Sequence, residues 1–240
     1  MRLFTYNIHK GIGGRDRRYR LERVVAVIES QNPDIIFLQE VARRTRRSDF
    51  DDQPQLLATY FRAVSQLFQI TVRSAQGGYG NLLISRWPIR TSHQICLQMG
   101  RKKPRGAQVA VVETPQGPVH LVHWHLGLSE KERHWQTNQL LTHRLFREFR
   151  HLPTMLAGDT NDWRNTLSKA ALARSGFTHV THPISRFRSF PAWLPVGSLD
   201  KVFVRGPIIV RAARVVHTRL ARNASDHLPL IVDFHLGGAG

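Results

Sequence analysis

A layered α/β fold in one domain is what the sequence predicts, and three observations predict it. Short apolar runs of strand length recur along the whole chain, with helical periodicity at intervals in both halves. From Ala63 to Val122 strand follows strand, punctuated by Gly77-Gly78, Pro88, Gly100, Pro104 and Gly117-Pro118, with no crossover helix between them. Parallel neighbours need such crossovers, so purely parallel sheets are excluded. No internal repeat, low-complexity tract or linker interrupts the 240 residues, so residues 1–240 are expected to form a single domain.

The elements follow in order. Arg2 to Asn7 reads as a strand ending in a polar residue. Leu21 to Gln31 is helical, because Leu21, Val24, Val25 and Ile28 recur at i, i+3, i+4 and i+7, and Pro33 stops it. Asp34 to Gln39 contains the unbroken run Ile35 to Leu38, too short for a helix and suited to a strand buried on both faces. Asp52 to Phe61 is helical. After the central strands, Ser129 and Glu132 form a capping box that opens a long amphipathic helix reaching about Arg150. Thr154 to Ala157 is a buried strand and Leu167 to Arg174 a helix. Leu199 to Val204, Ile208 to Val216 and Leu228 to Phe234 are further strands.

Composition bounds the partners. The chain is 41% hydrophobic, ordinary for a globular protein, but it carries 35 Lys+Arg against 17 Asp+Glu, a formal net charge of +18. Such a surplus points to polyanions: nucleic acid first, an anionic membrane surface second. Nothing implies a protein partner. Cys96 is the sole cysteine, which excludes an intrachain disulfide and fits a reducing compartment. No segment approaches the ~20 apolar residues of a membrane span. The opening Met-Arg-Leu-Phe-Thr-Tyr-Asn lacks the apolar run of a signal peptide, so a soluble, cytoplasmic protein is expected.

Residues able to hold a metal ion or a phosphate stand in order where apolar runs give way to loops. They are Asn7, Glu40, His125, Asp159 with Asn161, Asp200, and Asp226 with His227. Gly158-Asp159-Thr160-Asn161-Asp162-Trp163 is the most specific run. Its glycine permits a tight turn, and Asp159 and Asn161, two apart, face the same side. Ser225-Asp226-His227 pairs a carboxylate with an imidazole, and a carboxylate facing an imidazole holds its tautomer and raises its basicity. His123-Trp124-His125 raises a zinc hydrolase, but Gly127 and Leu128 stand where further ligands are required, and there is no cysteine cluster. Hard oxygens such as those of Glu40 and Asp226 suit Mg²⁺ or Mn²⁺ instead.

Taken together, the chain resembles the endonuclease/exonuclease/phosphatase superfamily. That superfamily includes pancreatic deoxyribonuclease, exonuclease III-like abasic-site endonucleases, bacterial sphingomyelinases and inositol polyphosphate 5-phosphatases. The stretches that carry the resemblance are residues 5–11, 38–41, 80–86, 125–128, 158–163, 198–204 and 225–230, nearly the whole chain. Asn7-Ile8-His9-Lys10-Gly11 and the Gly-Asp-x-Asn-Asp-Trp run look closest to small cytoplasmic bacterial members. The resemblance implies a four-layer α/β sandwich, two facing mixed sheets flanked by helices, with the site at one end. It also implies roles. Glu40 would bind Mg²⁺ or Mn²⁺ with Asn7 beside it and Asp226 assisting at the metal or at His227. Asp159 would orient or deprotonate the attacking water. Asn161 and His125 would stabilise phosphoryl oxygens, His227 would contact the scissile phosphate, and Asp200 would buttress a histidine, His227 first. One departure is Thr160, where the family commonly has Phe.

A metal-dependent nuclease acting on DNA or RNA is the leading expectation. Arg15, Arg17, Arg18 and Arg20 follow the first strand, and Arg43, Arg44, Arg46 and Arg47 follow Glu40, where they would hold a polyanion at the rim. Arg101, Lys102, Lys103 and Arg105 form a third cluster. The alternative is a phospholipid, sphingomyelin-type or small-molecule phosphoesterase of the same fold. A non-catalytic relic is disfavoured, because no catalytic position is missing. The apolar loop Phe187, Phe190, Pro191, Trp193, Leu194 and Pro195 is expected to pack as a lid rather than stand exposed as a wedge.

Overall fold

The computed structural model describes residues 1–237. Its strands are β1 Arg2–Asn7, β2 Ile35–Arg43, β3 Ser65–Arg73, β4 Gly78–Ser85, β5 Ile89–Cys96, β6 Gly106–Thr114, β7 Gly117–His125, β8 Thr154–Asp159, β9 Thr178–His179, β10 Asp200–Arg205, β11 Ile208–Val215 and β12 Leu230–Leu236. The helices are α1 Leu21–Glu29, α2 Gln53–Tyr60, α3 Glu130–Thr142, α4 Arg144–Arg147, α5 Ala171–Arg174 and α6 Arg219–Ala224. Two six-stranded sheets form, in the orders β11-β12-β1-β2-β4-β3 and β5-β6-β7-β8-β10-β9. Both are mixed: β1 and β2 run parallel, as do β7 and β8, and the other pairs are antiparallel.

Alternation along the central strands shows why the sheets stack. In β8, Met155 and Ala157 point into the layer between the sheets, while Leu156 joins the core under the outer helices. In β10, Val202 and Val204 face inward and Phe203 outward. Each central strand is thus apolar on both faces, which explains the unbroken apolar runs. One layer of helices, with α1 and α6 in contact, covers the first sheet. The other layer, with α3, α4 and α5, covers the second. The result is the four-layer sandwich.

The inter-sheet layer also holds a polar knot. His123 stacks on Phe37 with ring centroids 4.6 Å apart. Its Nδ1 lies 2.8 Å from Gln108 Oε1 and its Nε2 2.7 Å from Gln39 Nε2. The glutamine amide can only donate, so Nε2 accepts and the proton sits on Nδ1. Gln39 donates onward to Thr5 Oγ1, and Gln108 to the Leu67 carbonyl.

Several elements differ from expectation. The long helix stops at Thr142, because His143 is extended (φ −65°, ψ 133°) and restarts the chain as α4. Nor is α3 amphipathic in the ordinary sense, since its buried face includes Glu132, Arg133, Gln136 and Thr137. Ser129 Oγ does accept from the Glu132 N–H, at 3.4 Å, but the Glu132 side chain turns inward and accepts from Gln136. The helix expected over Leu167 to Arg174 is a 3₁₀ turn and α5, parted at Ala170. β9 and α6 were not expected, each being too short to carry a periodic signal. Among the described residues no helix is long and apolar enough to cross a membrane.

Candidate active site

Strand register builds the site. His125 at the end of β7 pairs with Asp159 at the end of β8, and Asp159 pairs on its other side with Asp200, the first residue of β10. Laterally paired residues share a face. One row of side chains therefore runs His125, Asp159, Asp200, and all three are buried. The facing sheet adds Asn7 from the end of β1, whose Nδ2 donates to Asp159 Oδ2 at 3.0 Å. Ser225 Oγ donates to the Asn7 carbonyl at 2.7 Å and so ties the loop carrying Asp226 and His227 to β1.

The turn after β8 is specific to its sequence. Gly158 has φ +142°, and a Cβ there would lie 2.0 Å from the Trp124 carbonyl oxygen. Asn161 is left-handed (φ +50°), a conformation Asn tolerates better than most residues. Its N–H donates to Asp159 Oδ1 at 2.9 Å, and its Nδ2 donates to the Leu126 carbonyl at 2.9 Å. One amide hydrogen remains for another acceptor. Thr160 is buried and donates to the Leu199 carbonyl at 2.7 Å, so it anchors the turn at the position where the family commonly has Phe.

His227 lies between two carboxylates. Its Nδ1 is 2.9 Å from Asp200 Oδ2, and its Nε2 is 3.7 Å from Asp159 Oδ2. Asp200 Oδ2 also accepts from Ser189 Oγ at 2.5 Å. Burial alone would depress the imidazole, but Asp200 and Asp159 overcome it and push its pKa up to about 10. Complete burial, with Asp200 adding to it, raises Asp159; His227 and the hydrogen bonds from Asn7 and Asn161 work against that rise. The arrangement is an imidazolium held between two carboxylates.

His125 differs. Arg105 Nη1 donates to its Nε2 at 2.9 Å, so that nitrogen is an acceptor and the ring is neutral. Burial and the charges of Arg105 and His227 hold its pKa well below the usual value. Arg105 is itself only 5% exposed. The sequence places it merely in a basic loop, and the available signal is its position directly before Gly106, the register partner of His125.

Glu40 reaches the site through a β-bulge. The β2–β4 register slips between Leu38 and Val41, Glu40 is left-handed (φ +56°), and the strand continues beyond it to Arg43. Its Oε2 is ion-paired with Lys10 Nζ. Burial would raise Glu40, but Lys10, with Lys103 and His9, holds it below the ordinary carboxylate range. Asp226 is partly exposed, with Oδ2 3.9 Å from His9 Nδ1, and Asn7 Oδ1 accepts from the His9 N–H at 3.1 Å.

Asn7, His125, Asp159, Asn161, Asp200 and His227 thus form one connected network, and Glu40 and Asp226 flank the turn that leaves it. Two kinds of cation chemistry can be separated here. Asp159, Asp200 and His227 place ligand atoms within 4.8 Å of one another. There Asp200 Oδ2 is engaged by Ser189 Oγ and His227 Nδ1, so the set is joined as a hydrogen-bonded acid–base network. Glu40, Asp226 and Asn7 Oδ1 offer hard oxygens, which fit Mg²⁺ or Mn²⁺.

Of the arginines that follow Glu40, Arg43 lies over the Phe68 ring at 5.4 Å, and Arg44, Arg46 and Arg47 are exposed. Arg15, Arg17 and Arg18, also exposed, follow Gly14, whose hypothetical Cβ would lie 2.7 Å from Asp226 Cα. The expected lid is only half a lid. Phe187 and Ala192 are buried, and Phe190 packs 4.8 Å from the His227 ring. Trp193 is 51% exposed, and Leu194, Val196 and Trp163 stand out with it. Pro191 and Pro195, at either end of this tip, suit a turn that lifts it away from the core. The ~3 kcal/mol cost expected for truncating a fully buried indole therefore does not apply to Trp193.

Comparison with known proteins agrees with the geometry. A family model described as the endonuclease/exonuclease/phosphatase family matches residues 4–227. The uncharacterised protein YbhP of Escherichia coli K12 is 28% identical over 98% of this chain and 96% of its own length. An endonuclease/exonuclease/phosphatase from Beutenbergia cavernae superposes with a TM-score of 0.82 at 25% identity, covering all of this chain and 72% of its own. The mannosyl-6-phosphatase Bt3783 of Bacteroides thetaiotaomicron superposes at 0.75 with 16% identity, over 98% of this chain and 100% of its own. That last likeness speaks to fold alone.

Proposed function

The chain belongs to the endonuclease/exonuclease/phosphatase family, a family of phosphoric ester hydrolases, and from that premise we propose that it is a divalent-metal-dependent phosphodiesterase whose substrate is nucleic acid. The buried row His125–Asp159–Asp200, closed by Asn7 and His227, supports hydrolysis. What carries the choice of nucleic acid is two clusters of exposed cations, Arg15, Arg17 and Arg18 after the Gly14 turn packed on Asp226, and Arg44, Arg46 and Arg47 shortly after Glu40 in the chain.

The residues divide the work. Water aligned by Asp159 and Asn161 attacks phosphorus as its proton passes to Asp159, and the bond to the leaving oxygen breaks, that oxygen taking the electron pair and then a proton from solvent. The His227 imidazolium, oriented by Asp200 and Ser189, faces the charge that develops on a phosphoryl oxygen. His125 acts through Arg105, whose guanidinium it positions. A Mg²⁺ or Mn²⁺ ion held by Glu40, Asp226 and Asn7 would neutralise charge on the phosphate.

A panel tests this reading: plasmid, oligonucleotides and anionic liposomes, each with Mg²⁺ or Mn²⁺ and with EDTA. Nucleic acid should be cleaved, and EDTA should abolish the activity. Full turnover after metal stripping would refute the metal-dependent mechanism. The second reading, a phospholipid phosphodiesterase, draws on the exposed tip of Trp163, Trp193, Leu194 and Val196 beside His227. Lipid hydrolysis without nucleic-acid cleavage, with liposome binding that resists salt and depends on Trp193, would install it instead.

The rim has its own test. Changing Arg43, Arg44, Arg46 and Arg47 together to Ser should weaken nucleic-acid binding, each lost phosphate contact removing about one unit from the slope of log affinity against log salt. A small soluble phosphodiester should be hydrolysed almost as before. An unchanged slope would place these arginines away from the substrate.

A further inference from the structure

Lys10 stands at the centre of the site without a part in the chemistry above. It is 7% exposed, and its ammonium is paired with Glu40 Oε2. The ammonium also lies 4.4 Å from the centroid of the Tyr79 ring, which Lys103 approaches at 5.3 Å. Glu40 is therefore not a bare carboxylate awaiting a metal ion.

The backbone is built to put Lys10 there. His9 and Lys10 are both left-handed (φ 45° and 62°), a region non-glycine residues keep only where their surroundings dictate it. Gly11 follows at φ 74°, and a Cβ on it would meet the Tyr19 ring at 2.8 Å. Gln53 clamps the turn to the strand bearing Glu40: its Nε2 donates to the Lys10 carbonyl and its Oε1 accepts from the Ala42 N–H, both at 2.7 Å. The turn is locked, whereas the four-carbon stem above it has freedom to re-aim.

An ammonium and a divalent cation held on one largely buried carboxylate repel each other strongly, even when each takes its own oxygen. A displaced ammonium at this depth needs another anion, because an unpaired buried charge is costly. The anion that arrives with the substrate is a phosphate. Resting on the assignment of Glu40 as a metal ligand, we propose that Lys10 is a displaceable counter-ion: metal entry drives its ammonium off Glu40 and onto the phosphoryl oxygens. Lys10 then opposes metal binding and assists phosphate binding, so its removal should have opposite effects on the two.

The experiment titrates the full chain with Mn²⁺, followed by electron paramagnetic resonance, and titrates the Mn²⁺-loaded protein with inorganic phosphate by calorimetry. Lys10→Met should bind Mn²⁺ more tightly and phosphate more weakly, each on the order of tenfold. Lys10→Arg, which keeps the charge, should bind Mn²⁺ no more tightly than wild type. If Lys10→Met does not fold, Lys10→Gln removes the charge while retaining a hydrogen bond to Glu40 and takes its place. Unchanged or weaker Mn²⁺ binding in the uncharged variant, or unchanged phosphate binding, overturns the proposal. Glu40→Gln separates the two levels. If it abolishes Mn²⁺ binding while Lys10→Met leaves it unchanged, the counter-ion role alone falls. If Glu40→Gln binds Mn²⁺ as wild type does, the metal-site assignment itself is wrong.

Discussion

Asp159→Asn and His227→Ala are each expected to slow phosphodiester hydrolysis on the order of 10²-fold or more while leaving the fold intact. Asp159 is the node of the network: Asn7 Nδ2, the Asn161 N–H and the His227 imidazolium all converge on its carboxylate. The asparagine variant keeps the shape and removes the oxygen that takes the proton from water. In His227→Ala the charge facing the phosphoryl oxygen disappears, and Asp200 keeps only Ser189 as a side-chain partner. Residues that act as one unit are not additive, so the double variant should lose little more than the worse single one. Circular dichroism and a soluble aryl phosphodiester suffice to measure this. Near-wild-type rates in both single variants would remove Asp159 and His227 from the chemistry. Strictly multiplicative losses would show two independent contributions rather than one imidazolium–carboxylate unit.

Much of this site is legible in the sequence because strand ends deliver it. Asn7, His125, Asp159 and Asp200 each close or open a strand whose apolar run is unmistakable; parallel and antiparallel pairing brings the last three into one row, and the facing sheet brings Asn7 to it. Glu40 is legible as a type but not as a geometry, because the bulge that aims it depends on pairing with β4. Arg105 and Lys10 escape notice for a physical reason. Long cationic side chains in a basic protein read as solvated surface, and only tertiary packing shows that these two are buried against His125 and Glu40. The α3 helix misleads in the opposite direction, since its inward face carries polar residues that serve backbone groups, as Gln136 does at Gly127 and Leu97. The tip at Trp193 is apolar yet exposed, and composition alone cannot tell a lid from a wedge.

The largest expected effect on stability is acid lability set by the buried neutral histidines. Desolvation holds His123 at about 3, and burial with the nearby Arg205 and His151 charges does the same to His120. In the unfolded chain each returns to about 6.5. Below that value the unfolded state binds a proton that the folded state refuses, so stability is present above about pH 6.5 and falls steadily as pH drops toward 3. From pH 7 to 5 the loss is about 2 kcal/mol per histidine, and it barely changes whether the folded value is 3 or 4. His123 gives the cleaner case. Its Nε2 accepts from Gln39, so a second ring proton would be driven against an amide that already donates, in a layer sealed by Phe37. His123→Gln removes the titration and leaves a polar group between Gln39 and Gln108. Urea unfolding of both proteins at pH 7 and pH 5 then isolates this residue from every other titrating group, because only the difference between them counts. The variant should start less stable at pH 7, having lost the stacked ring, yet should lose about 2 kcal/mol less than wild type on acidification. Equal acid sensitivity in the two would mean that His123 accepts its proton within the folded sandwich.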